Sequence, residues 1–547
     1  MLGDSAETPR YIETLPRRGY RYIGPVQEFQ KLRLATETDG RKIEPVPVAL
    51  PPKRSRSLVF IICAFFMLGL APLIVWHSLH AKAAVPPIHS IAVLPLDNLS
   101  GDPSEEFFAD GITDQLITDL AKVSSLRVIS RTSVMPYKGA KKSLPQIARE
   151  LNVDAIVEGS VIRSGRRVRV TAQLIQAPSD QHLWAETYDR DLGDILKLQG
   201  EVTDAIAQQV RAQLTSTQQA QLRTAHAVNP EAYNAYLKGH VYFTTEFTKP
   251  DSLRKAQQLF GEAIRDDPNF ALPYAGLGNT YIYLAYSGAL PKEQAYRSAK
   301  EEIAKAMALD DSIGEAYDAL GVLNWQFDWD WDAADRAFNR AITLAPSYSC
   351  AHEDRAIFLA FMGRRAEALA EIAKIDQLDY GLSAAYTESA TYYLLGDFQR
   401  LIESSKRGLL MDPSDWFHHY HLGIGYEGTG NLQEAIFEYQ KAIDLSPGSQ
   451  QLAVALAHAY AAAGKKAEGE TILRDLERKL KQTSASPYTM ATIYAGLHEN
   501  DEAIEFLRKA YSEKSLDLVF LKSDLRLDRL HPDPRFPDLL RRMVLHN

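Results

Sequence analysis

Residues 416–447 read WFHHYHLGIGYEGTGNLQEAIFEYQKAIDLSP, and their spacing decides the architecture of the carboxyl-terminal half. Leu422, Gly423, Tyr426, Ala435, Tyr439, Ala442 and Pro447 describe two paired helices, small residues letting them approach and aromatics filling the space between. Related patterns stand at Leu320, Gly321, Phe338, Ala341 and Pro346, and at Leu277, Gly278, Tyr281, Ala299 and Ala306. Corresponding second-helix positions run Ala263, Ala306, Ala341, Ile375, Gly408, Ala442, Leu476 and Ala510, in steps of 43, 35, 34, 33, 34, 34 and 34 residues. The long step comes from a stretched connection, Tyr286–Glu293. A helix pair of this size cannot bury its apolar face alone, so the units must stack. About eight units are expected over 229–515, followed by a capping helix within 516–547.

This spacing resembles the tetratricopeptide repeat. The resemblance implies an all-α right-handed superhelix whose concave groove is lined by the first helix of each pair. Carried onto this sequence, the groove positions include Tyr386, Tyr393, Phe417, Tyr420, Ile424, Glu427, Gln451 and His458. Four are aromatic, which suits an extended peptide or an apolar helix of a protein partner. The competing reading is that they pack within the chain. His418, His419 and His421 invite a metal reading, but no third ligand is evident and ordinary histidines fit better. Asp328, Asp330 and Asp332 alternate like a calcium loop, yet Ala333 and Asn339 stand where that loop needs glycine and glutamate.

Upstream, 89–215 reads as an α/β domain with a mixed sheet, in the order β-α-β-α-β-β-β-α. Its phrases Ala92-Val93-Leu94-Pro95, Phe108 to Leu116 and Ala155 to Val161 resemble the TolB amino-terminal-like (FlgO-like) domain. Asp102, Glu105, Glu106, Asp110 and Asp114 read as acids at the start of a helix capped by Ser104 rather than as a metal site. No phosphate-binding glycine-lysine loop, HExxH helix or GxSxG elbow occurs. The chain is therefore expected to be no enzyme and to need no cofactor.

The 547 residues are 46% apolar and 24% charged, an ordinary globular composition. Two cysteines, Cys63 and Cys350, exclude a disulfide scaffold. The net charge of −9 is uneven: residues 1–56 carry 11 Lys/Arg against 7 Asp/Glu, and 77–547 carry 50 against 63. The acidic part is a poor candidate for binding a phosphate backbone. Leu58 to Trp76 is free of charge and long enough for a transmembrane helix, expected over 57–77. Lys53, Arg54 and Arg56 on its amino side predict a cytoplasmic amino terminus and a periplasmic carboxyl-terminal region, in a bacterial inner membrane. Residues 29–56, with Glu44-Pro45-Val46-Pro47 and Pro51-Pro52, read as a linker.

Residues 1–28 contain two β-prone runs, Tyr11–Leu15 and Tyr20–Ile23, around Pro16-Arg17-Arg18-Gly19. They resemble the carboxyl end of OmpR/PhoB-type winged-helix domains, and the whole order resembles ToxR/CadC-like membrane-anchored regulators. By that resemblance Arg17, Arg18 and Arg21 are wing residues that would meet DNA, and the recognition helix is missing, so DNA binding is expected only with an upstream winged-helix region. The fold class expected is multidomain: truncated winged-helix hairpin, one transmembrane helix, α/β mixed-sheet domain and all-α repeat superhelix. The function expected is a non-enzymatic sensor that binds a periplasmic protein or peptide, with a homodimer as a further expected partner state. The alternatives are an envelope assembly scaffold and a regulatory relic of a cyclase-like enzyme.

Overall fold

The computed structural model describes residues 12–15, 19–22, 87–177, 179–210, 227–245, 249–480 and 486–544. The chain divides into two compact units, Met1–Val85 and Pro86–Asn547. In the first, β1 (Ile12–Leu15) and β2 (Gly19–Tyr22) form an antiparallel hairpin with Ile12 opposite Tyr22 and Leu15 opposite Gly19. Arg21 lies on β2, while Arg17 and Arg18 fall outside the described residues. The linker 29–56, the segment 57–77 and Cys63 fall outside them too.

In the second unit one mixed sheet carries β3 (Ser90–Val93), β4 (Asp97–Asn98), β5 (Arg127–Val128), β6 (Ala155–Ser164), β7 (Arg167–Gln176) and β8 (Gln181–Asp191). The order is β5-β3-β6-β7-β8, with β4 also beside β6. β3 runs parallel to β5 and β6, and β6, β7 and β8 are successive antiparallel neighbours. Every residue of β3 is buried, as expected of a strand flanked on both sides and covered by helices. Helices Glu106–Ala121 and Ile195–Gln209 pack their apolar residues into this core. The same core continues into the first helical pair through Tyr233, Tyr236 and Phe260.

Among the described residues eight helical pairs follow, from Pro230–Thr245 with Pro250–Asp266 to Pro487–Gly496 with Asn500–Ser512. In the third and sixth pairs close approach depends on glycine in the first helix. A Cβ on Gly423 would lie 2.6 Å from the Tyr439 ring, and one on Gly321 2.6 Å from Phe338. Gly430 turns the chain between Trp416–Gly428 and Leu432–Leu445 at φ +81°, a conformation open to glycine without steric cost. Trp325 and Trp331 are buried in the third pair's core, and Asp330 caps the following helix by accepting from Ala333 N at 2.9 Å. After the last pair come two 3-10 turns, Leu516–Phe520 and Leu525–Leu530, and the helix Arg535–Val544.

Two expectations are corrected. The class of the described residues is a mostly helical superhelix with one mixed-sheet domain, in place of the expected assembly with a transmembrane helix. Among the described residues no helix is long and apolar enough to cross a membrane. The long helices are amphipathic instead: Lys292–Leu309 carries Lys292, Glu293, Arg297, Lys300, Glu301, Glu302 and Lys305. The single-pass inner-membrane placement, with its cytoplasmic amino terminus and periplasmic remainder, is therefore withdrawn.

Candidate partner-binding groove

Stacking at a regular step brings corresponding residues of successive first helices into rows. One row runs Asp318, Glu353, Tyr386, Tyr420, Val454 and Tyr488, at steps of 35, 33, 34, 34 and 34 residues. A second runs Glu315, Cys350, Ser383, Phe417 and Gln451. The expected groove residues sit in these rows and those beside them, and the two halves of the groove differ in chemistry.

In the carboxyl half the chain covers part of this face with its own 3-10 turns. Tyr393, Tyr420 and Ile424 are buried in a cluster against which Phe520 and Leu525 of the 3-10 turns pack. Phe520 stacks on Tyr393 with centroids 5.4 Å apart. Asp524, almost fully buried, accepts from Tyr488 Oη at 2.8 Å and from Arg526 Nη2 at 2.7 Å. Burial works to raise the Asp524 carboxyl, but Arg526 and the Tyr488 hydroxyl outweigh it and hold it low. Gln451 Nε2 donates to Tyr420 Oη at 3.1 Å. Glu427 accepts from Tyr439 Oη at 2.8 Å and faces His458 Nδ1 at 2.7 Å. Burial disfavours the charged His458 ring, but Glu427 raises it. Tyr386 stacks on His418, centroids 4.7 Å apart, and meets Phe417 edge-on at 4.7 Å. Thus the eight expected residues fall in the rows of the first helices, and Tyr393, Tyr420 and Ile424 among them serve internal packing.

The amino half is acidic, which sequence reasoning missed. Asp318 and Glu353 occupy the same row as Tyr386 and Tyr420, so the regular step alone would have found them. Burial, then Asp354, Glu353 and Glu315, push the Asp318 carboxyl well up. Burial and Asp379 push Glu353 up, although Ser383 Oγ donates to its Oε2 at 2.6 Å. Burial also raises Asp354. Cys350 and Tyr286 are exposed to solvent. The Cys350 thiol is pushed up by burial and by Glu353, Asp318 and Asp354, so it is a poor nucleophile.

The other acid and histidine clusters are structural. Asp102 accepts from Ser104 N at 2.8 Å, so it, and not Ser104, caps the turn. Glu105 pairs with Arg163 at 3.0 Å, Glu106 and Asp110 each with Lys138 at 2.6 Å, and Asp114 with His240 at 2.8 Å. His418 is fully buried and pushed down to about 3 by that burial. His419 bonds Glu438 at 2.6 Å and His421 the carbonyl of Phe417 at 3.0 Å. Among the described residues no group of three His, Cys, Asp or Glu could hold a metal ion.

Comparison with known proteins places two names on these parts. Residues 88–207 match the family described as "HilA/YgeH-like transcriptional regulator, second domain", and 399–523 match the tetratricopeptide repeat. The ToxR/CadC, OmpR/PhoB and TolB-like resemblances are not confirmed by these matches. Over 219 residues (39% of this chain, 37% of the relative) the sequence is 40% identical to "Putative adenylate cyclase 3" of Rhizobium meliloti (strain 1021). Over 322 residues (57% of this chain, 55% of the relative) it is 23% identical to "Transcriptional regulator HilA" of Salmonella typhimurium (strain LT2). The chain thus spans little more than half the length of these curated relatives at most. Among solved structures, PilW, a type IV pilus biogenesis factor, aligns with TM-score 0.34 and 17% identity, covering 39% of this chain and 95% of that one.

Proposed function

We propose that this chain is a non-enzymatic protein-interaction module of a HilA-like transcription regulator, and that the concave face of its repeats receives the partner. The reading rests on one observation above all: a domain matched to a regulator shares its buried core with the first helical pair of a stack whose later pairs match an interaction repeat. A partner held by the repeats therefore acts on a body that includes the regulator domain. The test is site-specific photocrosslinking in cells, with the crosslinker at Cys350 or Gln451 on the inner rows, or at Phe437 on a second helix, where the ring is 56% exposed. Protein adducts are expected from the inner positions and not from Phe437. Equal yields from all three would reject the groove.

The identity with "Putative adenylate cyclase 3" favours a second reading, in which the same module accompanies a cyclase. Cyclic AMP formed from ATP by the purified chain would favour that reading over the first.

A further inference from the structure

The inner wall built by helices Gly314–Leu323 and Ser349–Phe361 is unlike the rest of the groove. Asp318 is 3% and Glu353 7% exposed, and the Asp318 Oδ1 and Glu353 Oε1 atoms have no hydrogen-bond partner. An orphaned buried carboxylate oxygen is costly, and these two stand at equivalent positions of successive first helices, close enough for Glu353 to act on Asp318. The charges that act on Asp318 are the other carboxylates, Asp354, Glu353 and Glu315. The rim adds aromatic faces: Tyr283 and Tyr286 meet at 5.5 Å, and Tyr286 is 42% exposed.

We propose that this acidic recess binds a basic peptide segment of a partner protein, a lysine or arginine head entering between Asp318, Glu353 and Asp354. The inference rests on the groove reading above and gives it a partner class. Charge complementarity selects the occupant. A guanidinium supplies donors to both orphaned oxygens in the planar fork that carboxylates prefer, and its face suits a tyrosine ring. A nucleic acid would be repelled. A metal ion fits less well, since among the described residues no group of three ligands converges. The aromatic half is already partly covered by the turns at 516–530, whereas Cys350 on the neighbouring row is open.

The test uses the full chain and a short fluorescent peptide of alternating arginine and glycine, with its glutamate–glycine counterpart as control. Asp318→Asn combined with Glu353→Gln should weaken binding of the arginine peptide by about tenfold or more. Glu301→Gln combined with Glu505→Gln removes the same charge from exposed second-helix positions and should change it by less than about twofold. Because the recess variant could fail to fold, a second measurement uses Cys63→Ser protein, in which Cys350 is the sole thiol. The arginine peptide should slow alkylation of Cys350 and the glutamate peptide should not. Equal losses in both charge variants, or an unchanged alkylation rate, would overturn the proposal. If Cys350 and Gln451 still crosslink a partner in cells after such a result, the groove stands and only the basic class falls; if neither crosslinks, the groove reading falls as well.

Discussion

A single methyl group tests the packing of the repeats. Alanine at Gly321 or Gly423 would place Cβ 2.6 Å from a buried ring, Phe338 or Tyr439. Neither ring has room to retreat, so each substitution should cost about 1–3 kcal/mol in urea unfolding. Alanine at Gly430 meets nothing within 4 Å but must adopt φ +81°, and about 1–2 kcal/mol is expected for a different reason. The buried pair Asp114–His240 sets a pH window. Burial opposes both charges, yet His240 and Arg131 lower Asp114, and Asp114 raises His240. The raised histidine contributes stability that is present in full below its ordinary value and lost as pH rises through its folded value. The lowered aspartate contributes stability that is present above the ordinary carboxylate value and lost as pH falls. His240→Gln should therefore flatten the alkaline limb of a stability–pH curve, and an unchanged limb would refute the pair's role. At this scale the tight glycines were legible, because a Leu-Gly step recurs at Leu277-Gly278, Leu320-Gly321 and Leu422-Gly423. Asp318 and Glu353 stand on the same regular step, but their burial is not legible, because an acid on a helix ordinarily reads as a solvated face.

The element that changes the meaning of the groove is the pair of 3-10 turns at 516–530. Its buried residues Leu518, Leu521, Leu527 and Leu530 form only two short pairs three residues apart, so the sequence pattern suggests only a capping helix in 516–547 and gives no hint of an intramolecular occupant. Tyr393 and Tyr420, chosen for binding, are buried beneath it. Alanine at both should lower stability by several kcal/mol, roughly 3–5 at each site on the scale of buried aromatics. Partner loss in that variant alone would consequently say little about recognition. The anchor of the element is Asp524 with Arg526, both charges deep in protein. Asp524→Ala leaves the guanidinium buried and unpaired, for about 3–5 kcal/mol, whereas Asp524→Leu with Arg526→Met should recover most of that loss. Thermal unfolding of the single and double variants checks it. A double variant as unstable as the single would show that Asp524 acts through Tyr488 or the turn geometry instead.

Across the whole second unit, the mixed-sheet domain and the repeats are joined by polar contacts that the sequence pattern could not reveal, since they link residues some 220–250 positions apart. Ser130 N donates to Leu378 O at 2.8 Å, and Val128 N to Ser347 Oγ at 3.2 Å. Asp379 accepts from Thr132 Oγ1 at 2.7 Å and from Ser133 Oγ at 3.0 Å, while Ser133 Oγ accepts from Tyr380 N at 2.6 Å. Periodicity along the chain separates an α/β stretch from an α stretch and invites the reading of two independent domains. The continuous core through Phe108, Tyr233 and Tyr236 argues for one cooperative body. Protein with residues 86–547 intact should then lose amide protection in 127–134 and in 375–385 together as denaturant rises. Asp379→Ala removes the acceptor of two hydroxyls at a mostly buried junction, where each orphaned group costs about 1–3 kcal/mol. Exchange in 127–134 should accelerate first in that variant, while the repeats distant from the junction, such as 450–480, keep their protection. If the sheet and the repeats of the unaltered chain open at well-separated denaturant concentrations, the junction does not couple them, and a partner held in the groove would have no mechanical route to the regulator-like domain.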